Sequence, residues 1–558
     1  MNVAIQPARR NLELAQRAQL LPIVDVATEV GLEPDELELY GRFKAKVDLS
    51  ALVRRRTALQ GKLVCVTAIT PTRAGEGKTT TAIALTQALG WTGRRALACL
   101  REPSLGPVFG LKGGGAGGGR AQIAPMEDVN LHFTGDIHAI GAANNLLAAM
   151  IDAHLLHGNE LGIDPGSITW RRCLDMDDRG LRVVDVGLGG PANGSPHRTG
   201  FDITAASEVM AIVSVARGLT DLRKRLGEIT VASTGDGEPV TAEQVGAPGA
   251  MAALLRDALK PNLVQTLEGQ PALVHCGPFA NIAHGNNSLI ADLLGLQLAD
   301  YVVTESGFGS DMGFEKLLDI VIRQGAVAPA AVVLVVTTQA LKHHGGDPNG
   351  RLEALERGSD NLAAHLRIVR QFGLEAVVAV NRFPGDSAVE LDATRRLALD
   401  LGALAAEIND GFEQGGAGAV RLAEAVVDAS ARPVPYRPLY DLEDSIESKL
   451  DAVATRVYGA DGIELSTEAK SQLAVLEDRG LARLPVCVAK THLSLSHDPL
   501  LTGAPSGFVL PIRELRPYTG AGWIVALCRQ MQTMPGLSAH PAALDIDLDA
   551  DGRIVGLF

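Results

Sequence analysis

Short runs rich in valine, isoleucine and leucine alternate along this chain with segments whose apolar residues recur at helical spacing. Continuous apolar runs mark strands buried on both faces, and their alternation with helical patterns predicts a parallel sheet covered by helices. The strand candidates are Leu63 to Thr67, Arg95 to Leu100, Arg182 to Val186, Met210 to Val215, Ala272 to His275, Tyr301 to Thr304, Ala331 to Thr337 and Glu375 to Val380. Leu63 to Thr67 leads into a glycine-bearing loop and then into Thr79 to Leu89 at helical spacing, which predicts strand, loop, helix. The fold class is α/β.

A chain of 558 residues exceeds what one hydrophobic core can serve. Gly113 to Gly119 is the richest glycine stretch, suited either to a hinge or to a backbone that wraps a ligand closely, and a domain break is placed there. Arg432-Pro433-Val434-Pro435 gives a second break. The expected division is a discontinuous nucleotide-binding domain over 1–112 and 275–431, a second α/β domain over 113–274, and a C-terminal α+β module over 432–558.

Hydrophobic residues make up 46% of the chain and charged residues 21%, so a long disordered segment is not called for. The net charge is -14, from 51 basic and 65 acidic residues, and no basic run stands out, which argues against a nucleic-acid partner. The N-terminus lacks the apolar core of a signal peptide. The longest apolar stretch, near Ala326 to Val336, is too short to span a bilayer. A cytoplasmic protein with no membrane partner is expected. Six cysteines without CxxC spacing suggest six reduced thiols rather than a zinc site or a disulfide framework.

The segment Thr67 to Thr81 carries the clearest chemistry. Its residues Thr72, Arg73, Ala74, Gly75, Glu76, Gly77, Lys78, Thr79 and Thr80 form a loop in which backbone N–H groups turn toward a polyphosphate. The following helix adds its positive end, the Lys78 ammonium neutralises charge, and a hydroxyl from Thr79 or Thr80 can ligate magnesium. Thr72 stands where the strict P-loop pattern has glycine, so the match is partial. Set between a buried strand and a helix, the loop predicts a P-loop NTPase-like parallel sheet with helices on both faces, plus two smaller α+β domains.

Ile69-Thr70-Pro71 leading into this loop resembles the nucleotide loop of the formate-tetrahydrofolate ligase family. Arg101-Glu102-Pro103-Ser104-Leu105-Gly106-Pro107 is similar to the family's arginine-bearing loop, and Phe133-Thr134-Gly135-Asp136 with His138 to its next signature. Gly200 to Thr204, Gly277 to Gly285, Asn381-Arg382-Phe383-Pro384, Pro485-Val486-Cys487 with Lys490-Thr491, and Thr533 to Leu537 continue the match in order.

The resemblance implies ATP-dependent ligation: formate attacks the γ-phosphate of magnesium ATP to give formyl phosphate, and a tetrahydrofolate nitrogen then takes the formyl group. A carboxylate and a triphosphate repel, so cations must hold them together. Lys78 is expected at the transferring phosphate and Arg101 on the formate or acyl-phosphate oxygens. The bland alternative for Arg101 is a surface ion pair with Glu102. Asp136 is expected to serve the metal through water or to orient the folate amine, against a helix cap; His138 to accept a proton, against a core hydrogen bond. For His284, Asp202 and Glu305 a structural and a functional role stay equally open. Phe383 with Pro384, and Phe412 where the family usually has tryptophan, are expected to clamp the pterin. The family also implies a homotetramer and activation by a monovalent cation, potassium or ammonium.

Several positions depart from the family's pattern: Arg120 for a usual tyrosine, Gln339 for arginine, Cys276 for glycine, His492-Leu493 for glutamine-tyrosine, and Asn144 for a histidine that some members carry. Arg516-Pro517-Tyr518-Thr519 and Trp523 are atypical too. Drift with the reaction retained is one explanation. A paralog keeping the acyl-phosphate chemistry with another acyl donor or acceptor is the second, and a P-loop switch protein whose hydrolysis drives a partner is an alternative from another class.

Overall fold

The computed structural model describes residues 7–55, 60–72, 75–110, 114–350, 352–433, 435–529 and 531–557. Its centre is a mixed sheet of twelve strands: β1 (Leu37–Leu39), β2 (Ala45–Val47), β3 (Lys62–Ala68), β4 (Ala96–Leu100), β5 (Gly117–Gly118), β6 (Ala121–Ala124), β7 (Asn262–Thr266), β8 (Pro271–Val274), β9 (Tyr301–Glu305), β10 (Ala331–Thr337), β11 (Ala376–Asn381) and β12 (Ala405–Asn409). The order across it is β1-β2-β7-β8-β4-β9-β3-β10-β11-β12, with β6 on β7 and β5 on β6. From β8 to β12 every pairing is parallel; β1, β2, β5, β6 and β7 form an antiparallel margin.

Parallel strands are buried on both faces, and β10 shows why its sequence is a continuous apolar run. Val332, Leu334 and Val336 enter one core, Val333 and Val335 the other, and all are buried. On the first face lie the helix Leu352–Gln371 and the C-terminal region; on the second lies α1 (Lys78–Trp91), with Thr81 to Leu89 buried without a break. A helix apolar all round belongs inside, and α1 packs between the sheet and the segments 411–419 and 420–429.

Seven of the eight predicted strand segments contain strands. Met210 to Val215 does not: it lies in a helix, α2 comes before it at Asp136–Leu156, and the segment itself is α3 (Glu208–Val215). Ser207 caps α3 by accepting the Met210 N–H at 3.1 Å, and all eight residues of the helix are buried. An apolar run buried on every side carries no periodicity that separates helix from strand. The predicted Arg182 to Val186 strand is confined to Val184–Val186, which pairs antiparallel with His197–Thr199 outside the large sheet.

The strands β7 and β8, from the segment expected to form a second domain, are integral to the large sheet. The C-terminal residues build a separate mixed sheet from β13 (Gly462–Leu465), β14 (Val486–Ala489), β15 (Val509–Tyr518) and β16 (Trp523–Cys528), in the order β13-β15-β16-β14. Among the described helices α2 alone is long and apolar enough to cross a bilayer, yet Ile140, Ala143, Leu147 and Ile151 on it join the core shared with Trp523 and Val525. It is a core helix.

Candidate active site

The loop after β3, Arg101 after β4, Glu305 closing β9, Thr337 closing β10 and Asn381 closing β11 all lie at the carboxyl ends of parallel strands. The connection from β3 to β4 passes to one side of β3, while β10 flanks its other side. Such a switch point leaves a crevice beyond the strand ends. A cavity of about 720 Å³ occupies it, lined by Gly75 to Thr80, Arg101, Glu102 and Glu305 on the sheet side and by Lys490, Thr491 and His492 on the C-terminal side.

Local chemistry shapes the loop. Gly75 and Gly77 have φ of 78° and 74°, left-handed values that glycine adopts without steric cost, and the space beside Gly75 where a Cβ would stand is open. Glu76 is buried and turned inward: its carboxylate accepts from the Thr72 N–H at 2.8 Å and from Thr337 Oγ1 at 2.6 Å, while Asn381 Nδ2 donates to its carbonyl at 2.7 Å. Glu76 therefore pins the loop to β10 and β11. Immediately after it, the amino end of α1 brings the helix's partial positive charge to the cavity. Arg73 and Ala74 lie outside the described residues; Thr72, Gly75, Glu76, Gly77, Lys78, Thr79 and Thr80 are where the sequence places them.

The charged groups converge. Burial pushes the Lys78 ammonium down to about 8, and the Glu305 carboxylate opposes that shift. Arg101 faces Glu305, with Nε 3.7 Å from Oε1, and its Nε is a buried donor without a hydrogen-bond partner among the described residues. Thr79 Oγ1 donates to Glu305 Oε2 at 2.7 Å. Two cations with one carboxylate leave the corner electropositive, which suits an anion with several acceptor oxygens. The Thr79 hydroxyl and Glu305 carboxylate are hard oxygens of the kind magnesium takes. Among the described residues no three His, Cys, Asp or Glu side chains cluster as a metal cage, so a magnesium ion here would depend on phosphate oxygens and water for the rest of its shell.

Arg101 does not pair with Glu102, the bland alternative. The Glu102 carboxyl is buried, and burial together with nearby Asp136 pushes it well above the usual carboxylate range. Its N–H donates to the Cys276 carbonyl at 2.7 Å. Cys276 has φ of 55° where the family's usual residue is glycine, so this departure puts a side chain on a backbone conformation that glycine adopts more readily.

Asp136 and His138 are not brought to this cavity. Asp136 opens α2 and forms a buried ion pair with Lys46 on β2, Oδ1 to Nζ at 2.7 Å, with side chains 4% and 1% exposed. Asn262 Nδ2 donates to its other oxygen at 2.7 Å. His138, two residues on, is exposed. Phe383 and Pro384 follow β11 and Phe412 follows β12, so the phenylalanines stand beyond neighbouring strand ends, half-buried, outside the cavity's lining. The Arg120 N–H donates to the Phe412 carbonyl at 2.8 Å, which fixes that loop, while the Arg120 side chain is exposed. Gln339 is exposed on the helix Thr338–His344.

For three further residues the structure supplies structural partners. His284 is buried, its Nε2 2.6 Å from Ser214 Oγ and its Nδ1 accepting from the Asn286 N–H at 3.1 Å; burial pushes it down to about 3 and keeps it neutral. Asp202 accepts from Arg171 Nε at 2.7 Å and from Thr533 Oγ1 at 2.6 Å. Asn144 donates to the Arg171 carbonyl at 3.0 Å.

Sequence reasoning gave no role to the opposite wall. There Phe308 stacks on His492, ring centroids 4.2 Å apart and planes at 19°, and Lys490 Nζ meets Asp311 Oδ2 at 2.7 Å in a fully buried pair. The one local signal was a phenylalanine between two glycines, Gly307 and Gly309, and Phe308 does adopt a left-handed φ of 59°.

A family model described as formate-tetrahydrofolate ligase matches residues 9–558. Curated proteins of that name are similar over almost the whole chain. The protein from Roseiflexus sp. (strain RS-1) is 55% identical over 560 residues, covering 98% of this chain and 99% of its own. Those from Symbiobacterium thermophilum and Desulforamulus reducens are 54% and 52% identical, each again covering 98% of this chain.

Proposed function

The chain belongs to the formate-tetrahydrofolate ligase family, and from that membership we propose that it joins formate to tetrahydrofolate at the expense of ATP, through formyl phosphate, giving 10-formyltetrahydrofolate, ADP and phosphate. What supports this most directly is the convergence of Lys78, Thr79, Arg101 and Glu305 on one cavity at the carboxyl ends of β3, β4 and β9.

In this reading the loop amides and the start of α1 hold the triphosphate, as in a P-loop NTPase, and Lys78 stabilises charge on the phosphoryl group in transfer. The Arg101 Nε–H, without a hydrogen-bond partner among the described residues, holds the formate carboxylate in line with that group and afterwards the acyl-phosphate oxygens. Magnesium, when bound, neutralises phosphate charge, and Thr79 with Glu305 would hold it. Glu305 also keeps Arg101 and the Thr79 hydroxyl in place. Phe383 and Phe412 would present their rings to the pterin from adjacent loops. The domain division rests on the glycine-rich and proline-bearing breaks, the cytoplasmic setting on the polar N-terminus and the short apolar stretches, and the homotetramer and the monovalent cation on the family resemblance.

Retention of the ordinary acceptor is favoured over a changed one, because relatives of that name are 55% and 52% identical over 98% of this chain. The test is purified enzyme with ATP, formate and tetrahydrofolate, assayed for phosphate and formylated folate. Both products should appear in equal amounts and only with all three substrates. Phosphate release that ignores formate or folate would overturn the assignment.

A further inference from the structure

Thr70, at the root of the phosphate loop, is held by three buried side chains. Asn361 Oδ1 accepts its N–H at 3.3 Å and Asn361 Nδ2 donates to its Oγ1 at 3.0 Å. His365 Nε2 lies 2.9 Å from the same Oγ1, and His344 Nε2 lies 2.8 Å from the Thr70 carbonyl. Thr70, Asn361 and His365 are wholly buried, His344 nearly so.

Two of these side chains also reach the opposite wall. Asn361 Nδ2 donates to the Gly503 carbonyl at 2.7 Å, and the Gly503 N–H donates to His344 Nδ1 at 3.2 Å. Gly503 lies in the loop 490–508, which lines the cavity through Lys490, His492 and His497. That loop is cross-linked within itself, Ser494 Oγ donating to the Leu501 carbonyl at 2.7 Å and the Asp498 N–H to Ser496 Oγ at 3.1 Å, so its parts move together.

The bonds fix the proton positions. Because Gly503 donates to His344 Nδ1, the proton of neutral His344 sits on Nε2 and is donated to Thr70. Because Ser310 Oγ donates to the His365 carbonyl at 3.5 Å, it accepts from His365 Nδ1–H at 2.7 Å, and His365 Nε2 is left to accept the Thr70 hydroxyl hydrogen. Burial pushes both imidazoles down to about 4, so the network stays neutral and complete near pH 7.

We propose that Asn361 and His344 are positioning residues that couple the two walls of the cavity: seating of a nucleotide on the phosphate loop is transmitted through Thr70 to the loop 494–503. Neither residue touches substrate. The proposal rests on the nucleotide reading of the loop, and the experiment separates the two.

Hydrogen–deuterium exchange is measured on the full chain with and without magnesium ADP. In the wild type, ADP should slow exchange at 69–81 and at 494–503 together. In Asn361→Leu, protection at 69–81 should persist, protection at 494–503 should be lost, and ADP should bind about 5-fold more weakly or worse. Thr70→Val, of nearly equal volume, should uncouple the loops in the same way, which keeps the test alive if Asn361→Leu does not fold. His344→Gln, which retains a donor and an acceptor, should restore part of the protection that His344→Leu loses. Exchange in β10 should be unchanged throughout, which a merely structural defect would not allow. Wild-type protection confined to 69–81, or full protection of 494–503 in the uncoupled variants, overturns the coupling. No protection at 69–81 in the wild type overturns the nucleotide reading instead.

Discussion

Lys46 and Asp136 form one cation–carboxylate site beside the antiparallel margin of the sheet; Lys78, Arg101 and Glu305 form another at the ends of its parallel strands. Asp136 and Arg101 both come from segments that resemble family signatures, and the residue types are the same. Partner count separates them. Both Asp136 oxygens are occupied, by Lys46 and Asn262, and nothing is left over for a ligand. In the second site one carboxylate faces two cations, Arg101 Nε has no hydrogen-bond partner among the described residues, and a cavity adjoins. A closed ion pair holds the fold together, whereas an incomplete one awaits a substrate.

The sharpest way to break this comparison is to remove one charged partner from each site. Lys78→Met should lower kcat by roughly 10²–10³-fold with the fold intact, as loss of a preorganised charge at the reacting phosphate does; steady-state kinetics beside a melting curve checks it. Asp136→Ala should do the reverse. It leaves Lys46 buried and unpaired, at a cost of about 3–5 kcal/mol in urea unfolding, while the KM for ATP of the folded fraction stays near wild type. An Asp136→Ala protein of normal stability without turnover would return Asp136 to the chemistry.

pH sharpens the contrast further. With Lys78 pushed down to about 8, the free enzyme holds this charge below that pH and loses it above. The kcat/KM for ATP should therefore be flat below about pH 8 and fall up to tenfold per unit above it. A profile still flat at pH 9 would show that Lys78 stays charged there. The smallest effect belongs to His138→Ala: within about 0.5 kcal/mol in stability and with unchanged turnover, because the side chain is exposed and off the cavity.

The same distinction explains what could be foreseen from sequence. The run Ala331 to Thr337 was legible to its last residue, because a strand buried on both faces writes a continuous apolar stretch bounded by polar turns. The strand, loop and helix from Lys62 to Trp91 were legible for a similar reason: the apolar run, the glycines and the helical pattern are adjacent in the chain. The ion pair of Asp136 was not legible, because its partner Lys46 lies on a strand too short to announce itself. The pairing of Phe308 with His492 and the Thr70 network were not legible, since each joins segments that meet only through the folded sheet. Local chemistry can be read from neighbours in sequence, but completeness of partners cannot.

The place of β3 in the middle of the sheet has a consequence for synthesis. Its two hydrogen-bonding neighbours, β9 and β10, begin at Tyr301 and Ala331, long after β3 ends at Ala68. At about 5–20 residues per second a ribosome needs roughly 10–50 s to cover that interval. Throughout it the nascent chain carries β3, a largely apolar strand, with both edges lacking their native partners, the kind of surface that invites aggregation. The phosphate loop is thus among the first functional segments made, but its supporting strand is flanked only after more than half of the protein has been translated.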